Sequence, residues 1–291
     1  MFQLKIPSPR AHPLTRFWRV LRRAAMNTYE NGCLGLAKSI AYSGLLSFFP
    51  VLTTLAALLV EARADDVSHA IAAFLYEVVP PGTEDVVRNL FIVHGQRPQW
   101  VLVIAVLLSA WAASGAIMSL MEGFRAIYHI PSERSFLKER GVAILLVFVS
   151  AIPLWGASVL IVFGERIMRA VISRLGLLPN GADLTGLVLL TGQVLRYGVA
   201  FVGVVLVTAL VYYLGPNRRQ TLLGVFPGAA AATILWMLAT AAFAWYVRHV
   251  ANYNLLYGSV GAGLALLVWM YVMAVIMLFG CEVNAARERF R

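Results

Sequence analysis

Charge is the scarcest property of this sequence. Asp, Glu, Lys and Arg together make up 13% of its 291 residues, whereas about a quarter of a typical soluble domain is charged. Hydrophobic residues supply 60% of the chain, and the mean hydropathy is +0.77. A soluble protein of this composition could not cover its surface with polar groups, so the composition predicts a membrane protein.

Cysteines are few, and the common catalytic motifs are missing. The two cysteines, Cys33 and Cys281, lie far apart, and neither belongs to a CxxC pair, which argues against a disulfide framework or a zinc site. The five histidines are scattered, and there is no HExxH, GxSxG or Walker A motif, so nothing marks a metal site, a nucleophile or a phosphate loop. We therefore expect no cofactor, no metal and no enzyme activity.

The basic excess, a formal net charge of +10, does not indicate a nucleic-acid partner. A protein that binds nucleic acid concentrates Lys and Arg on one water-exposed surface. Here the basic residues lie in the short gaps between apolar segments, where membrane proteins carry their topology signals. We expect no nucleic-acid partner.

Long stretches without any charged residue predict the spans. A helix needs roughly 20 apolar residues to cross a bilayer, and six stretches satisfy this: 39–60, 98–121, 141–164, 197–214, 222–247 and 258–281. The first is too long for the apolar region of a cleavable signal peptide, so we expect it to be retained. The predicted fold is all-α: a bundle of six transmembrane helices over 39–281, between a basic segment 1–38 and a tail 282–291.

The distribution of Lys and Arg predicts the orientation. Sixteen basic residues fall on the side that holds both ends of the chain, and seven fall on the other side. By the positive-inside rule, both termini lie in the cytoplasm. An even number of spans requires the two ends to share a side, so the two observations agree.

Three segments outside the spans have the apolar spacing of amphipathic helices: 14–30, 65–79 and 83–91. The first is basic, and we predict that it lies on the cytoplasmic membrane surface, where anionic lipid headgroups hold it. The other two predict short interfacial helices on the outer side.

The first span carries a stripe of weakly polar residues that ends near a proline. Its members recur at intervals of three or four residues and therefore share one helical face: Ser39, Ser43, Ser47, Pro50 and Thr54. A proline in a membrane helix is tolerated when neighbouring groups satisfy the freed backbone. The hydroxyls either bond to their own or a neighbouring helix, or they line a cavity.

The fourth span has an ambiguous start at Arg196. An apolar run begins near Gly186, and Arg196 interrupts it. Either the helix is long and Arg196 lies inside the membrane, or 184–195 is an interfacial prelude and Arg196 marks the outer edge. We favour the second arrangement, because a buried unpaired arginine is costly.

Polar residues cluster at the ends of the second and sixth spans. Glu122 and Arg125 are three residues apart and can pair on one helix. Glu282 and Asn284 stand directly at the membrane edge, where charges are costly unless they are paired or face a wet cavity. Tyr257 lies before the sixth span, in an aromatic belt or a hinged entrance.

Four collinear motifs resemble the YihY/BrkB family of bacterial inner-membrane proteins over residues 17–288. They are AYSGLLSFFPVLT, WAASGAIMSLMEGFRAIYHIPSERSFLKER, YYLGPNRRQTLLGVFPGAAAATILWMLATAAFAWYV and YNLLYGSVGAGLALLVWMYVMAVIMLFGCEVNA. Two positions depart from the family pattern: Glu122-Gly123 stands where an Asn is expected, and Cys281 replaces the usual Ala. Glu282 and Asn284 match it.

The resemblance implies a six-span protein of the bacterial inner membrane and a role in the export or movement of lipid-like molecules. The family also carries an older ribonuclease label. The sequence does not support it, because it contains no set of metal ligands and no acid–base pair that a nuclease would need.

We predict a transporter or translocator of a lipid-like or amphiphilic envelope molecule, because broken helices and intramembrane polar groups are typical of transport sites. The candidate residues are Ser43, Ser47, Pro50, Glu122, Arg125, Arg196, Tyr257, Glu282 and Asn284. Glu282→Gln or Arg125→Ala is expected to abolish movement without unfolding the protein. The alternative is a non-transporting envelope scaffold, which forms a homo-oligomer or binds an envelope partner protein. A membrane-bound hydrolase or ribonuclease is the least supported reading.

Overall fold

The computed structural model describes residues 13–61, 99–131, 135–152, 186–249 and 259–289, and all the regular structure in these ranges is helical. These ranges contain seven helices: α1 (Pro13–Glu30), α2 (Cys33–Glu61), α3 (Gln99–Tyr128), α4 (described over 136–152), α5 (Gly186–Leu214), α6 (Leu222–His249) and α7 (Ser259–Arg289).

Five of these helices are long and apolar enough to cross a membrane. The candidate spans are Cys33–Leu55, Leu102–Tyr128, Tyr197–Leu214, Leu222–Tyr246 and Gly263–Arg289. They correspond to five of the six predicted spans, and α4 covers the described part of the sixth, 141–164. The all-α membrane class is confirmed, while the count of six and the orientation of the termini stay predictions.

The helices extend beyond the charge-free stretches that predicted them. Helix α2 begins at Cys33, before residue 39, and α7 continues to Arg289, so that part of the predicted tail is helical. An α-helix tolerates charged side chains where they reach lipid headgroups or water. A charge-free stretch of sequence therefore marks the apolar part of a helix and not its ends. Likewise, α5 runs unbroken from Gly186 through Arg196. Residues 186–195 are thus continuous with the span, and the depth of Arg196 stays a prediction.

The buried core lies at one end of the bundle. It joins α2, α3, α4, α5, α6 and α7 through residues near positions 33–37, 120–127, 143–146, 205–212, 225–232 and 274–285. At its centre the fully buried rings of Phe124 and Tyr212 meet edge to face, with centroids 5.5 Å apart. This is the end of the bundle that carries α1 and the carboxyl end of α7.

Helix α1 is amphipathic, as the sequence predicted, and one face packs on α7. Val20 and Ala24 form a small buried cluster with Val283 and Ala286. The helix ends at a turn where Gly32 has φ +67°, a conformation that favours glycine because it lacks a Cβ. This turn leads directly into α2, and the opposite face of α1 is exposed.

The predicted outer helices 65–79 and 83–91, together with Tyr257, lie outside the described residues.

Candidate functional site

Glu282 lies where α1, α2 and α7 meet. Its carboxyl group is fully buried and accepts hydrogen bonds from two side-chain amides, Asn31 Nδ2 at 2.5 Å and Asn27 Nδ2 at 3.4 Å. A buried carboxyl group needs such partners to offset its lost hydration. Glu282 therefore has a structural role. It attaches the junction between α1 and α2, which contains Asn27 and Asn31 and is called the Glu282 joint below, to the carboxyl end of α7.

Asn284 holds the start of α6 at its internal proline. The side chain is buried, its Oδ1 accepts a hydrogen bond from the Gly228 N–H at 2.7 Å, and its Nδ2 donates to the Val225 carbonyl at 3.0 Å. These two backbone groups flank Pro227, which lies inside the helix. A side chain of α7 thus satisfies backbone groups beside a proline, as membrane helices require.

The contact between α6 and α7 is a backbone contact. A Cβ added to Gly228 would lie within 3 Å of the Gly280 carbonyl oxygen, and a Cβ added to Gly280 would lie 2.7 Å from the Gly228 carbonyl oxygen. Small residues allow this closeness in membrane bundles.

Arg125 does not pair with Glu122. It forms an ion pair and hydrogen bond with Glu139 at the start of α4, whereas Glu122 is exposed. A pair three residues apart on one helix gains only about 0.2–0.5 kcal/mol, and the partly buried contact between α3 and α4 replaces it. Arg125 therefore joins two helices.

The polar stripe of α2 faces α3. Ser43 Oγ lies 3.0 Å from Ser119 Oγ, Thr54 Oγ1 lies 2.6 Å from Ser109 Oγ, and Ser109 donates to the Pro50 carbonyl at 2.7 Å. Ser47 instead donates to the Gly44 carbonyl of its own helix at 2.8 Å. These contacts match the first alternative, bonding within and between helices. A cavity lining by the same residues stays a prediction.

Arg140 is the functional candidate that the sequence reading missed. The guanidinium lies 3.9 Å above the Trp111 ring, donates to the Trp111 carbonyl at 3.1 Å and contacts Met118 Sδ at 3.1 Å. A guanidinium has five N–H donors. The Nε–H is buried without an acceptor, and among the residues described here no carboxylate pairs with Arg140.

The depth of this guanidinium is unusual. Its partners on α3 lie inside the candidate span Leu102–Tyr128. At 1.5 Å per residue, Met118 lies about 6 Å and Trp111 about 17 Å along the helix from Glu122, the first charge after the apolar stretch. Because Arg140 directly precedes an apolar run in the sequence, it resembles an ordinary topology signal. Only the tertiary contact places its charge beside the charge-free stretch of α3.

For two of the predicted site residues the structure describes no side-chain contacts. The side chain of Arg196 and the whole of Tyr257 lie outside the described part of the chain. Over the described ranges, no group of three or more His, Cys, Asp or Glu side chains could hold a metal ion.

Comparison with known families decides the relationship. A family model described as virulence factor BrkB matches residues 24–291. The chain belongs to the BrkB family. This confirms the resemblance that the four motifs carried, and with the five apolar helices it makes the chain an integral membrane protein.

Relatives in this family carry differing names. A Bacillus subtilis protein named ribonuclease-like protein YfkH is 30% identical over 259 residues, which are 86% of this chain and 89% of the relative. UPF0761 membrane proteins of Pseudoalteromonas translucida and Vibrio campbellii are 24% and 27% identical over 84% and 85% of this chain, and over 78% and 75% of their own lengths. No solved structure matches.

Proposed function

We propose that this BrkB-family protein translocates an amphiphilic envelope molecule with an anionic headgroup across the bacterial inner membrane, and that Arg140 receives the headgroup. The observation that carries the proposal is the guanidinium of Arg140 within the apolar length of α3, held by a ring, a carbonyl and a thioether. An ionisable residue at such a depth is a functional candidate by default.

The contacts of Arg140 offset part of the free-energy cost of its burial, and its Nε–H has no acceptor among the described residues. An arginine at the centre of a membrane helix costs about 2.5–3.5 kcal/mol on insertion scales. A cation–π contact returns about 0.5–2 kcal/mol, and a hydrogen bond from a charged group about 1.5–3 kcal/mol. The site is therefore tolerable without a ligand. A phosphate or carboxylate would neutralise the guanidinium charge and accept hydrogen bonds in which both partners are ionised, which a carbonyl and a thioether cannot do.

The surroundings of Arg140 suit a molecule with apolar tails. Trp111 is 54% exposed, and Leu107 and Leu108, one turn away on α3, are exposed as well. On α4, Leu145 and Phe148 are exposed. A headgroup at Arg140 could leave its acyl chains against these side chains in lipid, so the substrate would not need an enclosed channel.

The test is lipid movement in proteoliposomes that contain the full chain. Fluorescent phosphatidylglycerol in the inner leaflet should reach the outer leaflet faster with the wild-type protein than in empty vesicles, and Arg140→Gln should remove the acceleration. Lys138→Gln is the matched control, because it removes the same charge from an exposed position two residues away. Wild-type flux in a folded Arg140→Gln protein would refute the assignment.

An envelope scaffold is the second candidate, and the backbone contact of α6 with α7 favours it. Such closely packed helices make a rigid body that suits a structural partner. A scaffold would show no flux in the same vesicles and would yield a stable homo-oligomer or envelope complex on crosslinking.

The orientation belongs to the proposal as well. The excess of basic residues on the side of both termini supports a cytoplasmic position for α1, the Glu282 joint and the buried core.

A further inference from the structure

A basic groove runs along α1, apart from Arg140 and independent of any transport. Its volume is about 440 Å³, and the described residues that line it are Arg19, Arg22, Arg23, Met26, Asn27 and Glu30. These residues recur at three- and four-residue intervals, so one face of a single helix supplies all of them.

Three guanidinium groups occupy one end of the groove. Arg19, Arg22 and Arg23 are exposed and lie within about 6 Å along the helix axis. Like charges at this spacing repel one another, and an anion between them would relieve that repulsion. Arginine is also the side chain best suited to bidentate bonding of a phosphate. Glu30 lies about 10 Å beyond Arg23 along the axis, so its carboxylate opposes an anion only weakly.

The position of α1 indicates the source of the anion. Its buried face packs through Val20 and Ala24 on the end of α7, which is a candidate span. The helix is thus held at the level where a bilayer has its headgroups. Phe17 and Trp18 are 58% and 69% exposed, and aromatic side chains favour this interfacial zone.

We propose that the groove on α1 binds the phosphate of an anionic lipid headgroup from the adjacent leaflet. Asn27 links this site to the bundle, because it lines the groove and also donates to the buried carboxyl group of Glu282. The bound lipid would hold α1 against both the bilayer and α7.

The experiment measures lipid binding to the full-length protein in neutral detergent micelles. Short-chain phosphatidylglycerol, phosphatidylcholine with the same chains, and inorganic phosphate are each titrated. We expect phosphatidylglycerol to bind, phosphatidylcholine to bind much more weakly, and inorganic phosphate to compete poorly. Equal binding of the two lipids would overturn the proposal, and full competition by inorganic phosphate would assign the groove to a free anion instead.

Charge variants locate the site. Arg22→Gln and Arg23→Gln should each raise the Kd for phosphatidylglycerol about fivefold, as expected for one charge near an anionic headgroup. Glu30→Gln should lower it. Arg219→Gln is the control, because it removes an exposed positive charge between α5 and α6, outside the groove. All four positions are exposed, so these substitutions should leave the unfolding temperature unchanged, and its measurement checks that each variant is folded. Unchanged binding in Arg22→Gln and Arg23→Gln, or weaker binding in Glu30→Gln, would refute the site.

Discussion

Gly228→Ala should destabilise this protein although alanine is the better helix former. In a helix interior alanine is favoured over glycine by about 1 kcal/mol. At Gly228, however, the new methyl group would overlap the Gly280 carbonyl oxygen and the Asn284 side-chain amide. Overpacking costs about 1–3 kcal/mol, and loss of the Asn284 bond to the buried Gly228 N–H costs about 1–3 kcal/mol more. We expect a net loss of about 1–5 kcal/mol, from these terms less the gain in propensity.

The matched control has the opposite expected sign. A Cβ at Gly198, in α5, meets nothing within 4 Å, so Gly198→Ala should leave stability unchanged or raise it by up to about 1 kcal/mol. The contrast between the two glycines separates a packing effect from a general effect of adding a methyl group to a membrane helix.

The two cysteines provide the assay. Cys33 and Cys281 are the only cysteines in the chain, and both are fully buried. A thiol-reactive dye in detergent therefore fluoresces as the bundle opens. At about 2–4 °C per kcal/mol, the midpoint for Gly228→Ala should fall by roughly 2–20 °C, with Gly198→Ala at or above wild type. An equal or higher midpoint for Gly228→Ala would refute the closeness of α6 and α7.

Two further predictions use the same thermal assay. Glu282→Gln keeps the shape of the side chain but turns an amide N–H toward one of the two asparagine N–H donors. It should lower the free energy of unfolding by about 1–3 kcal/mol, and Glu282→Ala should lower it further. Equal stability of both variants and the wild type would contradict the buried contact of Glu282 with Asn27 and Asn31. For the ion pair of α3 with α4, Arg125→Ala and Glu139→Gln should each destabilise the protein. Their double variant should lose less than the sum, by about 0.5–3 kcal/mol, while the exposed Glu122→Gln should change stability by less than about 0.5 kcal/mol; strict additivity would exclude the pair.

The sequence predicted the helices well because a bilayer imposes a simple rule. A spanning segment must be long, apolar and helical, since no water is present to bond the backbone. Five of the spans that this rule predicted are candidate spans in the structure. The rule placed the start of α2 several residues too late and the end of α7 several residues too early. Charged residues at these ends continue the helix, and no local signal shows how far.

The contacts between helices were much harder to predict. Asn31 and Glu282 are 251 residues apart, and no spacing rule connects them, although two asparagines four residues apart at the end of α1 and in the turn after it are a weak signal. The Glu122–Arg125 pair failed for the converse reason. The spacing rule was correct but its energy is small, so the tertiary contact of Arg125 with Glu139 prevailed.

Hydrogen-bond capacity distinguishes the polar groups that hold this bundle together from those that can serve a substrate. The carboxyl oxygens of Glu282 each accept an amide hydrogen bond, and the Asn284 amide is engaged on both its oxygen and its nitrogen. A buried group whose bonds are met within the protein would have to break them to bind anything else. Among the described residues, Arg140 donates hydrogen bonds to two acceptors, both neutral, although its guanidinium has five N–H donors. Substitution of Glu282 should therefore mainly lower the stability of the protein, whereas substitution of Arg140 should mainly lower the lipid flux. This difference is why the substrate site is assigned to Arg140 rather than to the carboxylate at the membrane edge.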